Sequence, residues 1–295
     1  KKNIILSWNI MNTKNLKKTC YNIFRRKSLI VLLFFSMVLE AQLSLAKTQK
    51  DQEIVSVAYI SGWKYANMDV QGAIQFKLDD GWKTYWRKPG VFGISPIIDW
   101  SQSKNIKSIK FSWPTPQIFN QNNVQIIGYE GVLTIPIKIK KIVPDKNAIL
   151  NVTVDFGVCS DICLLKTVTI NSNLESESNN ENLKVVTDAL SSVPSKITDE
   201  IFSSANCSID VNGSDLNLTY LIELFDKPNS EPFVIIDYYL SESYVENQTI
   251  KISDKNVLVS ASLENIQRVE GAIERDRLIT LLILDNTGFE IDGCD

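Results

Sequence analysis

The chain has 295 residues, with 31 basic and 34 acidic side chains and no histidine. The missing imidazole excludes Ser-His-Asp and Cys-His catalysis in their usual forms, along with every histidine metal site, and three methionines are a poor basis for a thioether copper site. The first 46 residues hold eight basic side chains and one acidic, which leaves 23 and 33 on the remainder, a net −10 that counts against nucleic-acid binding.

In chain order, a basic stretch from Lys14 to Lys27 precedes an apolar run over residues 29–39, and Ser44-Leu45-Ala46 supplies the small residues that signal peptidase requires. Residues 1–46 therefore read as a secretory signal cleaved after Ala46, with 1–10 an upstream extension before Met11. The apolar run is too short to span a bilayer as a mature anchor. Residues 47–172 carry a net +5 and residues 173–295 a net −15, an asymmetry that predicts two domains of different surface character.

Residues 47–172 show the pattern of many short strands. Residues 72–78 alternate small or apolar with polar side chains and then turn at Asp79-Asp80-Gly81. Residues 132–140 alternate again, and Pro136 within them argues for an edge strand or a bulge. Residues 148–156 lead into Cys159 and Cys163, and residues 167–170 lead out. Short strands with polar turns predict an all-β, sandwich-type fold. On strand 82–87, Trp82, Thr84 and Trp86 would share one face and Lys83, Tyr85 and Arg87 the other. Core packing is the first reading of the tryptophans, and partner docking or covering of the sulfurs by Trp86 the second. Tyr129 is read the same way, as part of a turn beside a strand before any docking role.

Residues 173–198 form a polar linker in which Leu183, Val186 and Leu190 recur at helical spacing before Pro194, predicting a short helix. Residues 199–295 become strand-like again. Residues 216–221 alternate, and 233–239 and 278–284 are apolar runs of strand length, which predicts a second, smaller β domain.

With Cys20 in the signal, four cysteines remain, and four allow three pairings. Closeness in sequence favours Cys159–Cys163, leaving Cys207–Cys294. Closing a ring of about five residues stabilises by roughly 2 kcal/mol, and one of about 88 residues by roughly 4–5 kcal/mol. The long bridge reads as a structural clasp. The short one has two readings: a passive hairpin staple, or an exchangeable bond of the strained, exposed kind. Asp161 lies between the two sulfurs in sequence and opposes thiolate formation, while Lys166 is the nearest cation. The reduced pair should therefore react mainly within a docked complex. No metal set of the usual kind is present, although two thiolates could hold copper(I) as a third reading.

Three segments carry a family resemblance: Gly81-Trp82-Lys83-Thr84-Tyr85-Trp86-Arg87-Lys88-Pro89-Gly90, Ile127-Gly128-Tyr129-Glu130-Gly131-Val132-Leu133, and Gly157-Val158-Cys159-Ser160-Asp161-Ile162-Cys163, with Trp113-Pro114-Thr115-Pro116 between them. Together they resemble the N-terminal periplasmic domain of the thiol–disulfide interchange protein DsbD, in the longer variant found at the front of ScsB-type proteins. The resemblance implies an immunoglobulin-like sandwich without cofactors, whose cysteine pair relays reducing equivalents among periplasmic thiol–disulfide proteins. Cys163 would form mixed disulfides and Cys159 would resolve them. It further implies a cap over the pair, for which Val91 and Phe92 are candidates, and a thioredoxin-like donor or acceptor or a separate membrane electron carrier as partner. Two departures from the family pattern stand out. Leu164 follows the second cysteine, and Val91-Phe92 replaces the more usual acidic-small pair. The family's membrane and thioredoxin-like domains are not recognisable in this sequence, so a separate protein would recharge it. The competing reading is a secreted two-domain binding or scaffold module with two structural disulfides.

Overall fold

In the computed structural model, the residues described are 54–90, 93–121, 124–196, 202–212, 215–238, 244–264 and 274–293. The expected signal segment lies outside them. Residues 54–295 cluster as one compact unit. Its first part contains β1 (Val55–Lys64), β2 (Val70–Leu78), β3 (Lys83–Tyr85), β4 (Ile97–Asp99), β5 (Ile106–Phe111), β6 (Gln117–Gln121), β7 (Val124–Glu130), β8 (Val132–Lys141), β9 (Ile149–Cys159) and β10 (Cys163–Asn173). One sheet runs β1-β2-β8-β5. The other runs β10-β9-β3-β7-β6, with β4 also paired to β9. This is the all-β, immunoglobulin-like architecture that the strand pattern and the resemblance predict.

The inward-facing residues of both sheets make the first core. Ile74, Ile135, Ile137 and Ile139 come from one sheet, and Leu150, Val152, Val154 and Phe156 from the other, all essentially inaccessible to solvent. Phe76 and Phe156 meet edge to face across it, with ring centroids 5.1 Å apart. The expected turn after β2 forms, with Gly81 at φ 79° and the Trp82 N–H donating to the Asp79 carbonyl.

Pro136 departs from expectation. It lies in β8, an interior strand paired with β2 through Ala73. Its carbonyl accepts from the Ser112 N–H, so the side of its missing donor faces β5. That strand ends at Phe111, opposite Ile137. The proline thus sits at the end of the ladder to β5, where only the reciprocal bond to Ser112 is forgone and the strand pairing has already stopped.

The helix α1 (Asn180–Ser191) follows β10. Asn179 caps it by accepting from the Asn182 N–H, and Val186 and Ala189 are its buried residues. Beneath the helix, Gly62 of β1 packs against β2, where a Cβ would stand 2.5 Å from the Gln71 carbonyl oxygen, with Val186 Cγ1 at ordinary contact distance, 3.4 Å. Glu175, in the turn before α1, accepts from Lys64 and from the buried Lys141 at 2.5 and 2.8 Å.

The second part contains β11 (Ser195–Lys196), β12 (Phe202–Asn212), β13 (Asp215–Leu224), β14 (Phe233–Tyr238), β15 (Tyr244–Ser253), β16 (Asn256–Glu264), β17 (Leu278–Leu284) and β18 (Thr287–Asp292). They form two sheets, β11-β18-β17-β14 and β12-β13-β16-β15. Between them lies a second core of Leu216, Leu218, Tyr220, Ile222, Val257, Val259, Leu278 and Leu282.

β14 and β17 are apolar without alternation because both of their faces are buried. Val234, Ile236 and Leu282 enter the second core, while Ile235, Leu281 and Ile283 join the first. This sheet therefore belongs to both halves and joins them through packing, beyond the chain connection at α1.

Candidate redox site at the β9–β10 hairpin

β9 and β10 are antiparallel in unbroken register from Ile149↔Asn173 to Cys159↔Cys163. The two cysteines are thus directly opposite each other at the open end of the ladder, with Cα atoms 4.1 Å apart and their sulfurs bonded. A turn of Ser160, Asp161 and Ile162 closes the hairpin, and the Ser160 N–H donates to the Ile162 carbonyl. The sulfurs are unequal. Cys159 is 4% exposed, whereas Cys163 is exposed.

The short strand β3 lies against the other edge of β9, pairing Lys83 with Cys159 and Thr84 with Val158. The Thr84 hydroxyl donates to the Gly157 carbonyl at 2.9 Å. Tyr85, the next residue, lies over β9 with its hydroxyl 3.1 Å from Cys159 Sγ and 3.6 Å from Cys163 Sγ. A disulfide sulfur carries no proton, so the phenol is the donor in both contacts. Burial pushes the Tyr85 pKa up, and the phenol therefore stays protonated through neutral pH. Gly157 permits this approach: a Cβ there would stand 2.9 Å from Tyr85 Cε2 and 3.0 Å from Ile94 Cβ. Gly93 lies on the ring's other flank, where a Cβ would come within 3.1 Å of Tyr85 Cδ1 and would overlap Pro89.

The structure separates the residues singled out in the sequence. Asp161 is exposed in the turn between the sulfurs. Lys166 is on β10 three positions from Cys163, and strand alternation puts it on the face of Leu164 and Val168, which pack toward the core. It is therefore turned away from the sulfurs and is not brought to the site. Trp86 (2% exposed) and Tyr129 (6%) are core residues, and the Tyr129 hydroxyl donates to the Pro114 carbonyl at 2.7 Å. A docking role would need them at the surface, and neither is there. Val91 and Phe92 lie outside the described residues. Cys207 is disulfide-bonded in mid-strand on β12, opposite Tyr220 and packed against the second core. Cys294 lies outside the described residues. Among the described residues no group of three or more Cys, Asp or Glu is arranged to hold a metal ion.

Tyr85 is the residue that sequence reading missed. The signal for it is strand alternation, which puts it on the face opposite the tryptophans and so turns it toward the sulfurs. Beside the exposed sulfur, Ile162 (61% exposed) lies in the hairpin turn and Leu165 (74%) two residues along β10, whereas Ile97 (65%) lies farther along the sheet, opposite Asp155.

Comparison with known proteins agrees with this geometry. The family described as "Thiol:disulfide interchange protein DsbD, N-terminal" matches residues 51–174. Among solved structures, the N-terminal periplasmic domain of ScsB from Proteus mirabilis superposes with a TM-score of 0.65 at 21% identity, covering 83% of this chain and 95% of that one. No curated protein matches the chain. Among the described residues no helix is long and apolar enough to cross a membrane. Residues 51–174 thus match the DsbD N-terminal family model, and the chain is ScsB-like in fold over most of its length.

Proposed function

We propose that this protein is an exported thiol–disulfide exchange domain that relays reducing equivalents between periplasmic thiol proteins through Cys159 and Cys163. The observation that carries the reading is the inequality of the two bonded sulfurs, one exposed at the sheet rim and one covered by Tyr85. An incoming thiolate can reach only Cys163. Its attack there forms a mixed disulfide and breaks the Cys159–Cys163 bond, and Cys159 leaves as a thiolate. The Tyr85 hydroxyl is placed to donate to that leaving sulfur, and hydrogen bonds to a charged acceptor are the stronger ones. A second thiolate of the donor then attacks its own sulfur in the mixed disulfide and frees Cys163. The donor is oxidised by two electrons and this chain is reduced. Toward an oxidised acceptor the steps reverse: Cys163 attacks the acceptor's disulfide, and Cys159 resolves the complex and restores the ring.

The exposed apolar side chains Ile162 and Leu165 beside Cys163 support a protein, rather than a small thiol, as the partner. A thioredoxin-like protein supplies both the dithiol and an apolar contact face. Mixed-disulfide trapping tests the reading. Cys159→Ser should accumulate a covalent complex with an oxidised thioredoxin-like protein through Cys163, and Cys163→Ser should give none. Equal trapping by both variants, or by neither, contradicts it.

A further inference from the structure

Asp237 is an anomaly in β14. The strand is otherwise apolar and buried on both faces, yet it carries a carboxylate whose side chain is 2% exposed. Its alternation with Phe233 and Ile235 points it toward the first half of the molecule. There Asp237 Oδ2 is 2.9 Å from Arg87 Nη1 and Oδ1 is 3.0 Å from Lys88 Nζ. The pairing is ionic, since neither oxygen has a hydrogen-bond partner of good angle. The Arg87 guanidinium also lies over the Trp86 ring, 4.7 Å from its centroid. Burying a carboxylate is costly, and a buried ion triad replaced as a whole by apolar side chains is often as stable or more so. The residue needs a reason beyond cohesion.

The two cations supply one. Arg87 is two residues beyond Tyr85, the side chain that touches both sulfurs, and Lys88 precedes Pro89, which flanks the Tyr85 ring together with Gly93. The carboxylate grips the chain between the tyrosine and its cover from a strand fixed by two cores. We propose that Asp237 is a positioning residue of the redox site: through Arg87 and Lys88 it holds Tyr85 against the sulfurs, so that the second sandwich sets the reactivity of a disulfide carried by the first. The inference rests on the exchange reading above and extends it to a residue in the other half of the molecule. Removing the charge at residue 237 loosens the Tyr85 hydroxyl from Cys159 Sγ and leaves the departing thiolate less well stabilised.

A double-mutant cycle on the full chain tests this, with dithiothreitol as reductant so that no protein partner enters the readout. Tyr85→Phe should slow reduction of the Cys159–Cys163 bond by about three- to tenfold, the equivalent of one ordinary hydrogen bond. Asp237→Asn should slow it by a similar factor, and the double variant should be no slower than Tyr85→Phe alone, because both changes remove one interaction. Asp292→Asn, which removes a partner of the exposed Lys196 in the second sandwich, should leave the rate unchanged. A merely structural role lowers the melting temperature of Asp237→Asn without moving the rate of the folded protein. Wild-type reduction kinetics in a folded Asp237→Asn variant, or additive effects in the double variant, would overturn the proposal. If Asp237→Asn does not fold, Lys88→Gln keeps the Arg87 pair and is read in its place by the same criteria. Loss of partner trapping with this cycle intact would reject the relay and leave the positioning role standing.

Discussion

Cys163 opens a strand, is exposed, and is bonded to a sulfur four residues away across the last rung of a hairpin. Cys207 lies in the middle of β12, faces Tyr220 across the ladder, and packs on the second core. The first bond closes a ring too small to remove much chain entropy, and it is placed where a thiolate can reach one end. The second has its described end in mid-strand on β12, partly buried against the second core. Placement within the ladder, more than the presence of a bond, is what makes one cysteine pair a candidate for exchange and the other a candidate clasp.

The sharpest way to break this contrast is to remove each bond and measure urea unfolding. With the Cys207–Cys294 pairing expected from the sequence, Cys207→Ser should cost about 4–5 kcal/mol, against about 2 kcal/mol or less for Cys163→Ser. Equal costs would mean that the hairpin bond is also structural. Next in size is Leu281→Ala in β17, which should cost about 2–5 kcal/mol. Because Leu281 lies in the first core while its neighbour Leu282 lies in the second, both halves should lose stability together in one transition. Two separate transitions, with only the second half shifted, would show that the halves are energetically independent. Gly157→Ala puts a Cβ against Tyr85 and Ile94, with an expected cost of about 1–3 kcal/mol, and should slow reduction of the hairpin bond by displacing the phenol. Smallest is Glu175→Gln. Hydrogen bonds from Lys141 and then Lys64 hold the Glu175 pKa below its usual range. Its contribution is therefore complete above the unfolded value and is lost as pH falls through the lowered folded one. We expect about 1 kcal/mol or less between wild type and variant at neutral pH, shrinking toward zero in acid. A gap that widens in acid would contradict the assigned cause.

Much of this was readable because it is local. The approach to Cys159, the exit from Cys163, the Asp79–Gly81 turn and the stripe that forms α1 all depend on neighbours within a few residues. What escaped was set by pairing between distant segments. Tyr85 reaches the sulfurs only because β3 pairs with β9, more than 70 residues later in the chain. Pro136 suggested an edge, and it sits in an interior strand because β5 stops one residue short of it. The runs at 233–239 and 278–284 announced burial by their lack of alternation, but nothing local revealed that the second buried face belongs to the other half. Lys166 is different. Strand alternation alone turns it away from Cys163, whatever its closeness in sequence.

The most direct test is the reduction potential of each bond, read by titrating the full protein against glutathione and quantifying every cysteine by alkylation and mass spectrometry. The account predicts that Cys159–Cys163 equilibrates above about −300 mV while the Cys207 bond stays oxidised below that value. A hairpin bond as resistant as the Cys207 bond would contradict it and leave a scaffold with two structural disulfides.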